Sequence, residues 1–316
     1  MRKKILEALK NKKGSYVSGE ELSKKLGISR TAIWKHVNAL KEEGYLIESY
    51  PKLGYRLIEA PDLFFPEEIK ENLKTEFLGN EIYYFKEIGS TMDYAKDLGT
   101  KGIPEGALVI SEIQTKGRGR LSREWQSPFG GIWLSLLLRP KISPVHAPKI
   151  TLLSGIAVTK TIKKECDLDA RLKWPNDVII NGKKVCGILT EISAEIDRIN
   201  FVVVGIGINV NNELPKELER SATTIRKESK RSFSRLKILK SLLEEFESLY
   251  VLFKKNQTFI VDEWKKYSDT LNKPVRITTP DRVIEGLALD IDEEGRLIVK
   301  TNESVERIVS GDCTYI

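Results

Sequence analysis

The sequence predicts an α+β fold in three pieces: a basic helix-turn-helix with a following hairpin, a mixed α/β core, and a small C-terminal β barrel. Three observations predict it. Residues 1–60 hold 13 Lys/Arg against 7 Asp/Glu, while the rest of the chain balances 39 against 38, so the net charge of +7 belongs almost wholly to the start. Strand-like and helix-like runs then mix without a regular βαβ rhythm to about residue 270, and from Lys273 only short β runs remain. A chain of 316 residues with 41% apolar content has room for two or three domains and a real core. The boundaries expected are 1–60, 61–270 and 271–316.

The first piece can be read element by element. Ile5, Leu6 and Leu9 lie at helical spacing in the opening helix. Ser18 followed by Glu21 is a capping box, with Leu22 and Leu26 as the apolar stripe of a second helix. Gly27-Ile28 turns the chain, Ser29 caps a third helix, and Ile33, Val37 and Leu40 form its inner stripe before Gly44 ends it. Arg30, Thr31, Trp34, Lys35 and Asn38 are left facing outward. "YLIESYPKLGYRLIE" then reads as two strands around a Pro-Lys-Leu-Gly turn. A hairpin placed after such a helix is a wing, and the arrangement resembles the winged helix-turn-helix of bacterial transcription regulators. That resemblance implies DNA binding through Ser29, Arg30, Thr31, Trp34, Lys35 and Asn38, most naturally as a dimer on two half-sites. A winged helix used for protein contacts is the alternative, and the basic charge argues against it.

Beyond the proline-bearing linker "EAPDLFFPEE", strands are expected at "EIYYFKEI", "ALVISEIQ", "GIWLSLLLRP" and "ARLKW", with a helix from about Pro148 to Cys166. Asn181-Gly182 joins two apolar runs and signals a hairpin. "RINFVVVGIGINVN" supplies a buried strand. Residues 211–232 read as a long polar loop before helices near 233–255 and 258–268.

Composition excludes several chemistries. No apolar run reaches 18 residues and the N-terminus lacks a signal-peptide pattern, so a cytoplasmic protein is expected. Cys166, Cys186 and Cys313 are odd in number and far apart, which argues against disulfides and thiolate metal sites. With only His36 and His146, zinc sites and histidine-based nucleophilic mechanisms are close to excluded. The Walker A, kinase and dinucleotide fingerprints are absent.

What remains is a set of clusters at strand ends: "GSTMD" (89–93), "QTKGRGRLSREW" (114–125), "KWPND" (173–177), "GKKVCGIL" (182–189) and "GIGINV" (205–210). Gly117 and Gly119 allow close backbone approach, and the alternating arginines offer planar donors for carboxylate or phosphate, so the loop suits a small anion. A solvated turn or an RNA-contacting loop has the same composition. Strand alternation puts Lys184 on one face with Cys186 and Ile188, either as a snorkelling edge residue or as a fixed charge. Asn176 and Asp177 either cap a turn or face a site.

Taken in order behind a winged helix, "GST", "Q-x-x-GRGR-x-x-R-x-W", "KWPND", "K-x-x-GIL" and "GIGIN" resemble the bifunctional biotin protein ligases that double as biotin operon repressors. The resemblance spans essentially the whole chain. It implies a central biotin/lipoate ligase-like catalytic domain, an SH3-like C-terminal barrel, and synthesis of biotinyl-5′-AMP from biotin and MgATP. Biotin then passes to a lysine of a biotin carboxyl carrier protein domain, and biotinyl-AMP promotes a homodimer on operator DNA; no membrane partner is implied. By position, Ser90, Thr91, Gln114, Arg118, Gly119, Arg120 and Lys184 match the biotin site. Arg120 and Lys184 match the charges on the carboxylate and α-phosphate, Trp125, Asn176 and Asn209 the nucleotide side, and Asp177 a carboxylate near the acceptor lysine. Segments 114–125 and 211–231 are expected to act as lids. Met92 replaces a commonly polar residue and is left outside the site, and Leu121-Ser122 replaces the usual Arg-Gly. A ligand-sensing regulator without catalysis and a lipoate or octanoate transferase are the competing readings.

Overall fold

The computed structural model describes residues 1–12 and 14–316, in two compact units, Met1–Leu63 and Phe64–Ile316. In the first, α1 (Arg2–Asn11), α2 (Gly19–Leu26) and α3 (Arg30–Glu42) are followed by the antiparallel hairpin β1 (Leu46–Tyr50) and β2 (Gly54–Glu59). Each boundary has a local cause. Ser18 accepts the Glu21 amide at 3.0 Å and Ser29 that of Ala32 at 3.2 Å, satisfying donors at the two helix starts. Gly27 takes the left-handed conformation, φ +66°, that ends α2. Ile5, Leu6, Leu9, Leu22, Ile33, Val37 and Leu40 form the core of this unit. Arg30, Thr31, Trp34 and Lys35 are exposed on α3, Asn38 is half-buried, and Ser29 is exposed with its hydroxyl engaged as the cap.

The second unit begins with α4 (Pro66–Lys70) and is built on a seven-stranded sheet. Its strands are β3 (Ile82–Ile88), β4 (Leu108–Gln114), β5 (Ile132–Leu138), β6 (Arg171–Lys173), β7 (Asp177–Ile180), β8 (Lys183–Ala194) and β9 (Ile199–Ile208), in spatial order β3-β4-β5-β9-β8-β7-β6. One βαβ crossover does occur: β3 and β4 run parallel, joined through α5 (Thr91–Thr100), and every other pairing is antiparallel. The α5 helix was not expected behind the polar "GSTMD"; Ser90 caps it by accepting the Asp93 amide at 3.4 Å. The α6 helix (Pro148–Cys166) covers one face of the sheet, with α8 (Arg235–Lys255) and α9 (Phe259–Tyr267) packed on it. The opposite face carries α5 and, beside it, open space. Residues 211–232, read as loop, contain a 3₁₀ turn and the short α7 (Ile225–Ser229), and are tied to β8 where the Thr223 amide donates to the Lys184 carbonyl at 2.8 Å.

The C-terminal β-rich piece is a five-stranded antiparallel sheet ordered β13-β12-β11-β10-β14. Its strands are β10 (Pro274–Thr278), β11 (Val283–Ile291), β12 (Leu297–Lys300), β13 (Val305–Ile308) and β14 (Asp312–Tyr315). A bulge in β11 between Ala288 and Asp290 provides the local bend that short strands use to curl. Val275, Ile277, Leu297 and Val299 belong to the same apolar core as Trp174, Phe246 and Trp264, so both sheets share one interior. No helix among the described residues is long and apolar enough to cross a membrane.

Candidate active site

On the sheet face opposite α6, a cavity of about 670 Å³ opens beside the start of α5. Ser90, Thr91, Gln114, Arg118, Gly119, Arg120, Trp125, Asn176, Asp177, Lys184 and Asn209 all line it, so the five motifs converge on one space. Neither His36 nor His146 is among the lining residues.

The polar end is fixed from the α5 terminus. Gln114 Oε1 accepts the Thr91 amide at 2.9 Å and the Thr91 hydroxyl at 3.0 Å, while its Nε2 donates to Ser127 Oγ at 2.9 Å. Thr91 Oγ1 also lies 2.9 Å from Ser135 Oγ, and Ser127 Oγ donates to the Trp125 carbonyl at 3.0 Å. This chain of bonds ties α5, β4, β5 and the arginine loop together at the floor of the cavity.

The loop itself is a hairpin. The Trp125 amide donates to the Gly117 carbonyl at 2.9 Å and the Gly119 amide to the Arg123 carbonyl at 2.7 Å. Gly117 is therefore needed for closure rather than for a ligand: a Cβ there would fall 2.4 Å from the Trp125 carbonyl oxygen. The tip, where the Arg123 amide donates to the Arg120 carbonyl at 3.2 Å, places Leu121 (φ +54°) and Ser122 (φ +58°) in the left-handed region. Two successive positive φ values define a turn that favours Asn and Gly, so Leu121-Ser122 holds it under strain.

The sheet floor lacks side chains at three positions. Ser135 and Leu189 are both paired with Gly205, and Trp133 and Gly187 with Gly207, which puts the three glycines on one face. Trp125 lies over two of them: a Cβ on Gly207 would be 2.4 Å from its Nε1, and one on Gly187 3.0 Å from its ring. The Trp125 Nε1–H is buried and has no hydrogen-bond partner among the described residues. Met92, not expected among the site residues, lines the cavity as well, over Gly205.

Lys184 also departs from expectation. A bulge between Val178 and Ile179 pairs Ile179 with Lys184 but Val178 with Cys186, so Lys184 faces away from Cys186 and Ile188. It instead shares the face of Asp177 and Gly187, with Nζ 2.6 Å from Asp177 Oδ1 and 5.2 Å from the centre of the Trp125 ring. The Lys184–Asp177 contact is a close ion pair without the angles of a hydrogen bond.

The cations of the cavity are not equivalent. Arg118 pairs with Asp93, and Glu191 lies 3.9 Å away; Arg123 pairs with Asp312, and Lys184 with Asp177. Arg120 instead donates to Asn176 Oδ1 and the Gly311 carbonyl, both at 3.2 Å, and no carboxylate among the described residues lies within ion-pair distance. Burial lowers its pKa from the ordinary value, with Asp312 and Asp177 opposing that shift at longer range. Asn176 is held in turn by Nδ2 donating to the Ile188 carbonyl at 2.8 Å. Asn209 is buried, its Oδ1 accepting from Asn212 Nδ2 at 3.2 Å. Gly311, Asp312 and Cys313, contributed by the C-terminal sheet, line the cavity and were not foreseen. Burial pushes the Cys313 thiol up to about 11, leaving it protonated and unsuited to nucleophilic work at neutral pH.

Residues 84–209 match the Biotin/lipoate A/B protein ligase family, 2–56 an HTH domain and 270–314 the Biotin protein ligase C terminal domain. The Bifunctional ligase/repressor BirA of Bacillus subtilis is 40% identical over 99% of this chain and 98% of its own length. The chain belongs to the bifunctional biotin protein ligase/repressor family. The Escherichia coli BirA is 29% identical over 98% of this chain and 95% of its own. Among solved structures, the Biotin protein ligase from Aquifex aeolicus in complex with biotin and ATP is 29% identical, with a TM-score of 0.66 over 74% of this chain and 98% of that one. This ligase-family cavity thus combines a polar corner, a glycine floor, an arginine with no directly paired carboxylate among the described residues and a paired lysine.

Proposed function

We propose that this chain is an ATP-dependent biotin protein ligase that forms biotinyl-5′-AMP, transfers biotin to a lysine of a biotin carboxyl carrier protein, and represses biotin genes when bound to biotinyl-AMP. The observation that carries the reading is Arg120, a half-buried guanidinium whose hydrogen bonds among the described residues go to neutral oxygens, in a cavity lined by the family motifs. Such a charge is a ready receptor for an anion. The carboxylate of biotin attacks the α-phosphorus of ATP and pyrophosphate leaves; the acceptor amine then attacks the acyl carbon and AMP leaves. The first step brings two anions together, so positive donors already in place are the main requirement, and no histidine base is needed. Arg120 and Lys184 supply those donors, with Arg118 and Gly119 toward the carboxyl end of biotin. Ser90, Thr91 and Gln114 supply the hydrogen-bonding corner for its ureido ring. Trp125, Asn176 and Asn209 line the nucleotide side, and Asp177 is placed to take the proton of the incoming amine.

Mg²⁺ would enter on the ATP phosphates. Among the described residues no group of three or more His, Cys, Asp or Glu forms a cage, and a phosphate-borne Mg²⁺ needs only one or two protein carboxylates, for which Glu124, Asp177 and Asp312 are the acidic residues lining the cavity. The segments 114–125 and 211–231 act as lids that keep water from the mixed anhydride.

For repression, α3 presents Arg30, Thr31, Trp34 and Lys35 to the major groove, with Asn38 beside them and Ser29 orienting the helix start. A homodimer promoted by biotinyl-AMP is supported by an open strand edge: β7 pairs with β8 only over Lys183–Gly187, no described strand continues along Leu189–Ala194 on that side, and Ile192 is exposed there. Incubation with biotin, MgATP and a carrier domain tests the ligase reading. Labelling of the carrier is expected with biotin but not with lipoate or octanoate, and a folded protein that labels nothing would leave the reading of a regulator without catalysis.

A further inference from the structure

We infer that Met92 is a specificity-determining residue of the cavity, forming with Leu189 an apolar corner that takes the sulfur-containing ring of biotin. The inference rests on the ligase reading above. Thr91 turns toward Gln114 and Ser135, whereas Met92, the next residue of α5, is directed onto the sheet and is only 5% exposed. A Cβ on Gly205 would lie 2.3 Å from its Sδ and 2.9 Å from its Cγ, so the space Met92 fills exists because residue 205 has no side chain. Leu189 is paired with Gly205 across the strands and lines the same cavity.

Biotin has three chemically distinct parts, and the cavity has three matching ones. The ureido group needs donors and acceptors, which the α5 terminus and Gln114 offer; the carboxyl end needs cations, which Arg120 and Lys184 offer. The thioether ring forms only weak hydrogen bonds and suits a soft, polarisable wall. A ring bearing a sulfoxide oxygen would bury that oxygen against the Met92 and Leu189 side chains, which offer it no donor, and an apolar wall disfavours such an added polar group by up to about 100-fold. Met92 therefore sets discrimination between the reduced and the oxidised ring.

The experiment is carrier labelling at varied biotin and biotin sulfoxide by the full chain and by Met92→Leu, Met92→Gln and Met92→Ala, with circular dichroism to establish folding. The wild type is expected to favour biotin by about 30- to 100-fold in kcat/KM, the range in which an apolar pocket rejects an added polar atom. Met92→Leu keeps that ratio. Met92→Gln lowers it about tenfold by donating to the sulfoxide, with the biotin KM raised and kcat changed by less than about threefold. Met92→Ala, which opens room for a water, lowers the ratio too and serves if the glutamine variant does not fold. A wild-type ratio near one, or a ratio in the folded Gln or Ala variant within twofold of wild type, overturns the inference. Absence of any labelling by the wild type overturns the ligase reading instead.

Discussion

Replacing Lys184 with alanine separates what this side chain does for the fold from what it does for chemistry. Its ammonium lies 2.6 Å from Asp177 Oδ1, and both side chains keep some exposure, 31% and 22%. A partly exposed pair of this kind contributes about 1 kcal/mol at most to stability. Removing Lys184 also leaves the buried Asp177 Oδ1 without its cation, which costs roughly 1–3 kcal/mol in a site water does not reach and less in this open cavity. The expected destabilisation is therefore about 1 kcal/mol. Adenylate formation loses a donor at the point where negative charge concentrates, worth about 2–4 kcal/mol, or roughly 30- to 1,000-fold in rate. The assay is single-turnover formation of biotinyl-AMP from α-labelled ATP, alongside thermal unfolding of the same sample. Asp177→Asn is the control: it leaves Lys184 in place, so adenylation should persist while transfer to the carrier slows. A folded Lys184→Ala protein that adenylates biotin within threefold of wild type refutes the argument.

Three further outcomes follow from local geometry. Gly207→Ala drives a Cβ into the Trp125 indole, so the KM for ATP should rise at least about tenfold and stability fall by about 1–3 kcal/mol; unchanged values would show that Trp125 is not held where it lies. Ser122→Gly relieves a left-handed residue at the loop tip and should stabilise the second unit by about 0.5–1 kcal/mol in urea unfolding, because the relief exceeds the added freedom of the unfolded chain; a loss of stability contradicts the strain. Burial raises the thiols of Cys166 and Cys313 from near 9 to about 12 and about 11. The unfolded chain then loses these protons first, so their contribution to stability is intact below pH 9 and is lost as pH rises toward 11 to 12. Cys166→Ala with Cys313→Ala should flatten that part of the stability–pH curve, and an unaltered slope would assign it to other groups.

Much of the site was legible because each motif sits at the end of a strand or in a turn whose local signals are strong. Asn181-Gly182, Ser18, Ser29 and the glycines around the arginine loop all mark boundaries that backbone chemistry alone imposes. Lys184 was placed on the wrong strand face because regular alternation cannot reveal an extra residue, and the bulge at Val185 reverses the face from there on. Gly205 and Gly207 are legible only as part of a glycine-bearing cluster at a strand end, whereas their contacts are with Met92 and Trp125, which are distant in sequence. For α5 the signal was present: Met92, Ala95 and Leu98 lie at helical spacing behind a capping Ser90 and are buried together. The contribution of Gly311 and Asp312 could not be read locally, since it depends on the second sheet sharing a core with the first.

The most direct test of the central claim is whether the cavity joins a carboxylate to an α-phosphate. Purified full-length chain, mixed with α-labelled MgATP, should form labelled biotinyl-AMP and release one pyrophosphate per adenylate only when biotin is present, and Arg120→Ala should suppress this by about 100-fold or more. Adenylate formation that does not depend on biotin, or that survives undiminished in a folded Arg120→Ala protein, would contradict the account.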